Sequence, residues 1–425
     1  MNDLLPQKLR IWRDLEKKIS SVFCSYGFEE IRTPVLERTE LFLRGLGAVT
    51  DIVEKEMYSF EDHLNGKKYS LRPENTAAVV RASVQHNLTY NEPKKLWYYG
   101  PMFRHERPQA GRYRQFFQFG VEMLGYDGFE SEAELILMCK AVWQAIGLSG
   151  NLQPVLKINS IGTSEERTLY VKALGEFFER YIDVLDDENL KRLKKNPLRI
   201  LDSKNESLGT LKNEAPKISS FLGKSSKAHF ENLLSLLDSY SIPYEVDLKL
   251  VRGLDYYSST VFEWKASALG AQDTVCGGGR YDALVPLLGG SQQGACGFAI
   301  GMERLAEILE TEYGNKEGCF LDLYCAHTSQ AAKMMAIELA ERVRKEGISV
   351  RVDLTQSSLK AQVRRAFRNR AQFLAIFGEE EMKAQHVNVR WLNNEERESQ
   401  QRKMPFGELA EFLLKNKHND GNLYQ

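Results

Sequence analysis

Apolar residues at Leu9, Trp12, Leu15, Ile19 and Val22 recur three or four apart, which predicts an amphipathic helix over residues 6–24 ending at Tyr26-Gly27. Phe28 to Arg32 reads as a strand, and Pro34 confines it to a sheet end or edge. The helical period returns over 38–46, a short strand covers Tyr69 to Glu74, and a helix begins near Thr76. Strands dominate 96–124, and a helix follows over roughly 130–146. From about 160 to 245 the chain changes to long charged helical segments, such as Ser164 to Tyr181 and Lys227 to Leu237, which reads as a helical insertion. Strands and glycines resume over 246–300, where Gly277-Gly278-Gly279 and Gly289-Gly290 are expected to mark tight turns. A helix opens at Gly301-Met302-Glu303-Arg304, and a polar linker crosses Tyr313 to Gly318. Beyond it, strand and helix alternate: Phe320 to Cys325, Ala332 to Lys345, Ser349 to Leu354, Ser358 to Arg368 and Phe373 to Phe377.

One strand pattern departs from an ordinary buried strand. Residues two apart share a face, so Phe116, Gln118, Gly120 and Glu122 point one way while Phe117, Phe119 and Val121 point into the core. The incoming strand Leu96 to Glu106 repeats this, with Tyr98, Gly100, Met102, Arg104 and Glu106 on one face. Joined by a basic loop, these strands predict the floor of a polar ligand cavity with a phosphate-sized anion site at its edge. Arg104, Arg112 and Arg114 supply planar donors suited to phosphate oxygens; the alternative for them is a solvated hairpin tip. A buried Glu122 requires a donor, either a ligand amine or imidazole or a core arginine.

Composition narrows the class without choosing a function. The 425 residues are enough for two or three domains, and 43% hydrophobic and 27% charged residues are those of an ordinary soluble protein. A formal net charge of -1 hides arginine clusters at 104–114 and 364–370. The cysteines form no C-x-x-C pair and the histidines lack metal-ligand spacing, so reduced thiols in a cytoplasmic protein and no metal site made by the protein alone are expected. Neither a membrane-length apolar run nor a signal-peptide core is present. There is also no G-x-x-x-x-G-K-[ST] phosphate loop and no dinucleotide fingerprint.

Five blocks in order resemble the histidyl-tRNA synthetase family of class II aminoacyl-tRNA synthetases. Phe103 through Glu122 looks like motif 2, Gly301-Met302-Glu303-Arg304-Leu305 like motif 3, and the region around Pro34 like the dimer-forming motif 1. Leu250-Val251-Arg252-Gly253-Leu254-Asp255-Tyr256-Tyr257 and Gly270 to Asp282 are similar to two blocks specific to the histidine enzymes. The resemblance implies an α/β fold: an α+β catalytic domain over 1–318 with a mainly antiparallel sheet flanked by helices and a helical insertion at about 165–240. A C-terminal α/β anticodon-binding domain over 319–425 would follow. It also implies activation of L-histidine by ATP to histidyl-adenylate and pyrophosphate, then transfer to the terminal adenosine of histidine tRNA. ATP is a substrate, Mg2+ accompanies it, and a cytoplasmic homodimer without membrane contact is expected.

By similarity Arg104 and Arg252 would meet the α-phosphate, Arg112 and Arg304 the γ-phosphate end, and Phe116 the adenine, with Glu106 in the same ATP site. Glu74, Asn75, Thr76 and Gln118 would surround the α-amino group. Glu122 and Tyr257 would read the imidazole, with Tyr256 and Tyr281 completing the pocket. Arg107 and Gln109 would read the 5′ end of the tRNA. In the helix Ser358 to Arg370, Lys360, Arg364, Arg365, Arg368 and Arg370 would face phosphates over a buried stripe of Leu359, Val363 and Phe367.

The sequence departs from the family pattern with Asn75 and Asp273 at usual glycines, which predicts altered constants with activity kept, and with Phe117 at a common histidine, a change expected to be tolerated. An Ile-Arg-Gly-like segment usual before Asn2-Asp3 is absent, so the start is misassigned or a short first strand is missing. Two rival readings are a non-enzymatic regulatory paralogue of ATP phosphoribosyltransferase and a tRNA-sensing module without catalysis. Retention of Arg104, Arg112, Arg252 and Arg304 argues against both.

Overall fold

The computed structural model describes residues 3–6, 8–47, 50, 52–106, 111–201, 203, 205–313, 321–392 and 401–416. The chain divides into two compact units, 1–312 and 313–425. The boundary expected at 318/319 lies outside the described residues.

In the first unit, the sheet strands are β1 (Glu29–Glu30), β2 (Leu36–Arg38), β3 (Ser59–Glu61), β4 (Lys68–Leu71), β5 (Lys94–Phe103), β6 (Gln115–Leu124), β7 (Val155–Ser160), β8 (Tyr244–Val246), β9 (Ser258–Lys265), β10 (Thr274–Arg280) and β11 (Ala295–Gly301). Eight of them, among the described residues, form the sheet β1-β5-β6-β11-β10-β9-β7-β8, while β2-β4-β3 make a small separate sheet. Only the outermost pairs, β1 with β5 and β7 with β8, are parallel. The mainly antiparallel architecture expected from the sequence is what the structure has. The strand expected at Phe28 to Arg32 shrinks to two exposed residues, because Pro34 removes a donor just beyond it.

Helices cover both faces. They are α1 (Lys8–Ser25), α2 (Thr39–Leu46), α3 (Thr76–Gln85), α4 (Glu130–Ala145), five insertion helices α5 (Ser164–Glu179), α6 (Asp187–Lys195), α7 (Leu198–Leu201), α8 (Gly209–Glu214) and α9 (Lys224–Ser239), then α10 (Leu284–Leu287) and α11 (Met302–Tyr313). α1 buries Trp12, Leu15 and Ile19 of the predicted stripe, with Phe23 buried in place of the expected Val22 and Leu9 only partly buried; each buried side chain contributes about 2 kcal/mol of apolar burial. Phe23 meets Phe119 and Phe298 of the sheet, and Trp143 of α4 meets Trp264. The insertion has its own core of Tyr170, Leu174, Phe178, Ile200 and Leu208.

The opposite sheet face, which holds the site, is paved with glycine. Gly277-Gly278-Gly279 does not make the expected turn but lies inside β10, paired on both sides. Side chains from elsewhere fill the space a Cβ would need: at Gly277 a Cβ would meet the Arg252 guanidinium at 2.5 Å, and at Gly120 it would collide with the Tyr98 ring. Gly100 is covered in the same way by Arg72, and Gly297 by Glu122.

The second unit is a sheet β13-β12-β14-β15-β16, with strands β12 (Leu321–His327), β13 (Val350–Val352), β14 (Ala371–Phe377), β15 (His386–Trp391) and β16 (Gln401–Pro405). Helices α12 (Gln330–Lys345), α13 (Leu359–Arg368), α14 (Glu379–Ala384) and α15 (Leu409–Asn416) pack on it. On α13 the buried positions are Gln362 and Ala366, with Leu359 and Val363 partly buried, whereas Phe367 is exposed. The expected apolar stripe is rotated because Gln362 bonds the backbone N–H and carbonyl of His327, pulling that face inward.

Candidate active site

Alternation along β6 and β9 puts Phe116, Gln118, Glu122, Glu263 and Lys265 on the glycine-paved face, and side chains from adjoining loops and helices join them in two neighbouring groups. A cavity of about 420 Å³ is lined by Arg104, Glu106, Arg112, Phe116, Gln118, Arg252 and Arg304, together with Glu263, Lys265 and Asp273. Beside it, Glu74, Thr76, Glu122, Tyr256, Tyr257 and Tyr281 make a buried acid–hydroxyl cluster.

Glu122 is the centre of that cluster and is 1% exposed. Its carboxylate accepts from Thr76 Oγ1 at 2.7 Å, from Tyr98 OH at 3.4 Å and from Tyr281 OH. Its partners in the protein are therefore hydroxyls and not the core arginine considered from sequence. Burial pushes its carboxyl up to about 8, the hydroxyls only partly opposing this, and nearby Glu74 adds to the rise. Glu74 caps the start of α3, accepting from the backbone N–H of Thr76 at 2.7 Å and of Ala77 at 3.0 Å. Burial raises its carboxyl as well. Tyr256 packs against Tyr257 and Tyr281 with ring centroids 4.6 and 5.5 Å apart. Gln118 Oε1 is buried without a protein partner, an acceptor available to a ligand donor.

Two supports fix these aromatics. Arg167 of α5 donates to the carbonyls of Asp255 at 3.2 Å and Tyr257 at 2.5 Å, so the insertion grips the loop that carries both tyrosines. Arg280, the residue before Tyr281, forms a buried fork with Glu132, at 2.9 Å from Nε to Oε1 and 2.5 Å from Nη2 to Oε2. Although burial disfavours its charge, Arg280 and His229 hold the Glu132 carboxyl at about 2.

The cavity works by paired charge. Arg252 donates to Glu263, which also accepts from Thr274 Oγ1 at 2.9 Å. Burial works against the Arg252 charge, but Glu263 more than compensates and raises its pKa. Arg112 Nε lies 3.1 Å from Glu106 and Arg104 Nη1 lies 3.9 Å from it. Arg104 also donates from Nε to the Pro73 carbonyl at 2.9 Å, and its guanidinium stands 5.1 Å from the Phe116 ring centroid. Arg304 donates to the Gly111 carbonyl at 3.2 Å and to the Thr274 carbonyl. Burial lowers its pKa, as do Arg104 and Arg112, while Glu106 and Glu263 oppose the shift.

Not every expected residue joins these groups. Asn75 is buried, but its Oδ1 accepts from Thr33 Oγ1 at 2.5 Å and Arg72 Nη1 at 3.1 Å, so the side chain braces the turn before α3. Asp273 belongs to the cavity rim beside Lys265, at 3.4 Å, away from the acid–hydroxyl cluster. Arg114 is outside the cavity lining. Arg107 and Gln109 lie outside the described residues. Sequence reasoning missed Glu263 and Lys265; the alternation of Phe262 and Trp264 with Glu263 and Lys265 along β9 was the signal that could have found them.

Residues 1–305 match the family model described as Histidyl-tRNA synthetase, and residues 323–416 match that of the Anticodon binding domain. The chain is similar to a protein named Histidine--tRNA ligase from Paraburkholderia phymatum, 49% identical over 423 residues that cover 97% of this chain and 94% of that relative. A protein of the same name from Burkholderia ambifaria is 49% identical over 421 residues, with the same coverage. Among solved structures, apo histidyl-tRNA synthetase from S. aureus superposes with a TM-score of 0.79 at 34% identity, covering 97% of this chain and 98% of that one. With an arginine-lined cavity beside an enclosed acid–hydroxyl cluster, and likeness over nearly its whole length, this chain belongs to the histidyl-tRNA synthetase family.

Proposed function

We propose that the chain is a histidine–tRNA ligase whose two neighbouring groups divide the first step between them. The acid–hydroxyl cluster takes L-histidine, with Glu122 and Tyr257 at the imidazole, Tyr256 and Tyr281 as walls, and Glu74, Thr76 and Gln118 toward the α-amino group. The cavity takes ATP, with Arg104 and Arg252 at the α-phosphate, Arg112, Arg304 and Glu106 at the tail end, and Phe116 under the adenine. Displacement at phosphorus needs alignment and charge neutralisation. The histidine carboxylate attacks the α-phosphorus, pyrophosphate departs, and the acyl group then passes to the tRNA terminal adenosine. The observation that carries this reading is the juxtaposition, on one sheet face, of an enclosed carboxyl able to meet an imidazole and a cavity lined by four arginines.

Among the described residues there is no group of three metal-ligating side chains. Mg2+ would accompany ATP, and Glu106, Glu263, Asp273 and Glu303 are the carboxylates lining the cavity, with the hard oxygens it prefers. On α13, Lys360, Arg364 and Arg368 are exposed around Phe367, a basic face with a stacking surface suited to the anticodon. Arg365 instead forks onto Asp353 at 2.8 and 2.6 Å, which supports a structural role for it. Exposed Val35, Leu36, Leu43 and Phe60 around the small sheet support a homodimer formed there. No helix among the described residues is long and apolar enough to cross a membrane. Histidine-dependent ATP–pyrophosphate exchange by the purified chain tests the reading. A folded chain that binds histidine yet exchanges no pyrophosphate would overturn it.

A further inference from the structure

Lys265 is a cation of the cavity for which the motifs give no role. β9 turns Phe262 and Trp264 into the core and presents Glu263 and Lys265 to the cavity. The lysine stands opposite Thr274 in the strand register, and the Thr274 carbonyl accepts from Arg304. Arg252 lies further back, over Gly277, which pairs with Glu263. Lys265 therefore lies between the two: its strand position faces the residue whose carbonyl holds Arg304, and its ammonium shares the Glu263 carboxylate with Arg252.

Its ammonium is held without being used up. It lies 3.4 Å from Asp273 Oδ1 and 3.7 Å from Glu263 Oε2, both longer than the roughly 2.9 Å of a good N–H···O bond. An ammonium has three donors, and these loose pairs leave them open to a better acceptor. A partly exposed pair of this kind contributes little to the fold. Asp273 is the nearer of the two carboxylates that keep the ammonium at the rim.

We propose that Lys265 is an additional phosphate-binding residue of this chain, acting with Arg304 on the pyrophosphate end of the nucleotide; this rests on reading the cavity as the ATP site. When a histidine carboxylate oxygen bonds the α-phosphorus, the bond from that phosphorus to the bridging oxygen breaks, and the electron pair leaves on pyrophosphate. The added charge appears beside Arg304 and Lys265. Asp273 and Glu263 give up part of their hold on the ammonium as the phosphate oxygens take it.

The test is histidine-dependent ATP–pyrophosphate exchange by the full chain and its Lys265→Met and Lys265→Arg variants. Lys265→Met should raise KM for both ATP and pyrophosphate about tenfold, as loss of one charge-assisted contact does, with KM for histidine unchanged. Lys265→Arg should return both constants toward wild type. If Lys265→Met matches wild type within about twofold in ATP and pyrophosphate, or if both variants lose equally, the lysine proposal is overturned alone. A wild-type chain without exchange overturns the ATP reading and the lysine proposal with it.

Discussion

The two ends of the site handle charge in opposite ways. Around Glu122 one carboxyl is withdrawn from water among hydroxyls, and burial lifts it to about 8. Around Arg252 the cations already have partners: Arg252 leans on Glu263, Arg112 on Glu106, and Arg304 on two backbone carbonyls. The first arrangement selects, because a ligand that cannot supply a donor leaves the buried Gln118 Oε1 beside it unsatisfied, which costs about 1–3 kcal/mol. The second favours binding by exchange, because an arriving polyanion replaces existing partners and no bare charge has to be uncovered.

Substitutions can break this contrast from either side. The largest effect is expected for Arg252→Ala: exchange should fall about a thousandfold in kcat, in line with loss of a group that stabilises transition-state charge, while histidine binding stays measurable by calorimetry. Survival of exchange would refute the placement of Arg252 at the α-phosphate. Glu122→Gln comes next, with KM for histidine raised about a hundredfold by loss of a carboxyl that can give its proton to the imidazole and pair with it and KM for ATP little changed. Equal changes in both constants would show that the two ends are one unit.

A smaller effect is in stability against pH. Glu122 is lifted from 4.5 to about 8 and Glu303 to about 7, chiefly by burial. A folded acid that holds its proton more tightly than the unfolded chain stabilises the fold fully below 4.5, and that contribution is lost as pH rises toward 8. Glu132 and Asp353, held at about 2, change stability only at lower pH. The urea midpoint of the empty protein should therefore fall between pH 6 and about 8.5, and Glu122→Gln should flatten the drop. A midpoint that rises over this interval would show that burial does not govern these carboxyls.

How much of this was legible in the sequence follows from range. Period-two alternation is local, so the shared face of Phe116, Gln118 and Glu122 could be read directly, and the stripe of α1 likewise. What failed depends on neighbours distant in the chain. Gly277-Gly278-Gly279 looks like a turn until Arg252, Phe298 and Thr260 are seen occupying the space above it. The hydroxyl partners of Glu122 come from residues 46 and 159 positions away, beyond any spacing rule. Phe367 was assigned inward because apolar residues usually are, but Gln362 took that place by bonding His327. Asn75 and Asp273 are visible in the sequence as departures, but their partners come from the fold: Asn75 braces Arg72 and Asp273 holds Lys265.

The glycine paving constrains how this site can evolve. Three residues of the site borrow the volume of a missing Cβ on a strand: Tyr98 over Gly120, Glu122 beside Gly297, Arg252 over Gly277. A glycine changed alone ejects its lodger, and a lodger changed alone leaves a hollow that is equally unfavourable. Moving to a different amino acid substrate therefore requires strand and lodger to change together, through intermediates that are poorer at both tasks. The floor of the pocket is a lock on its evolutionary history as much as a support for its ligand.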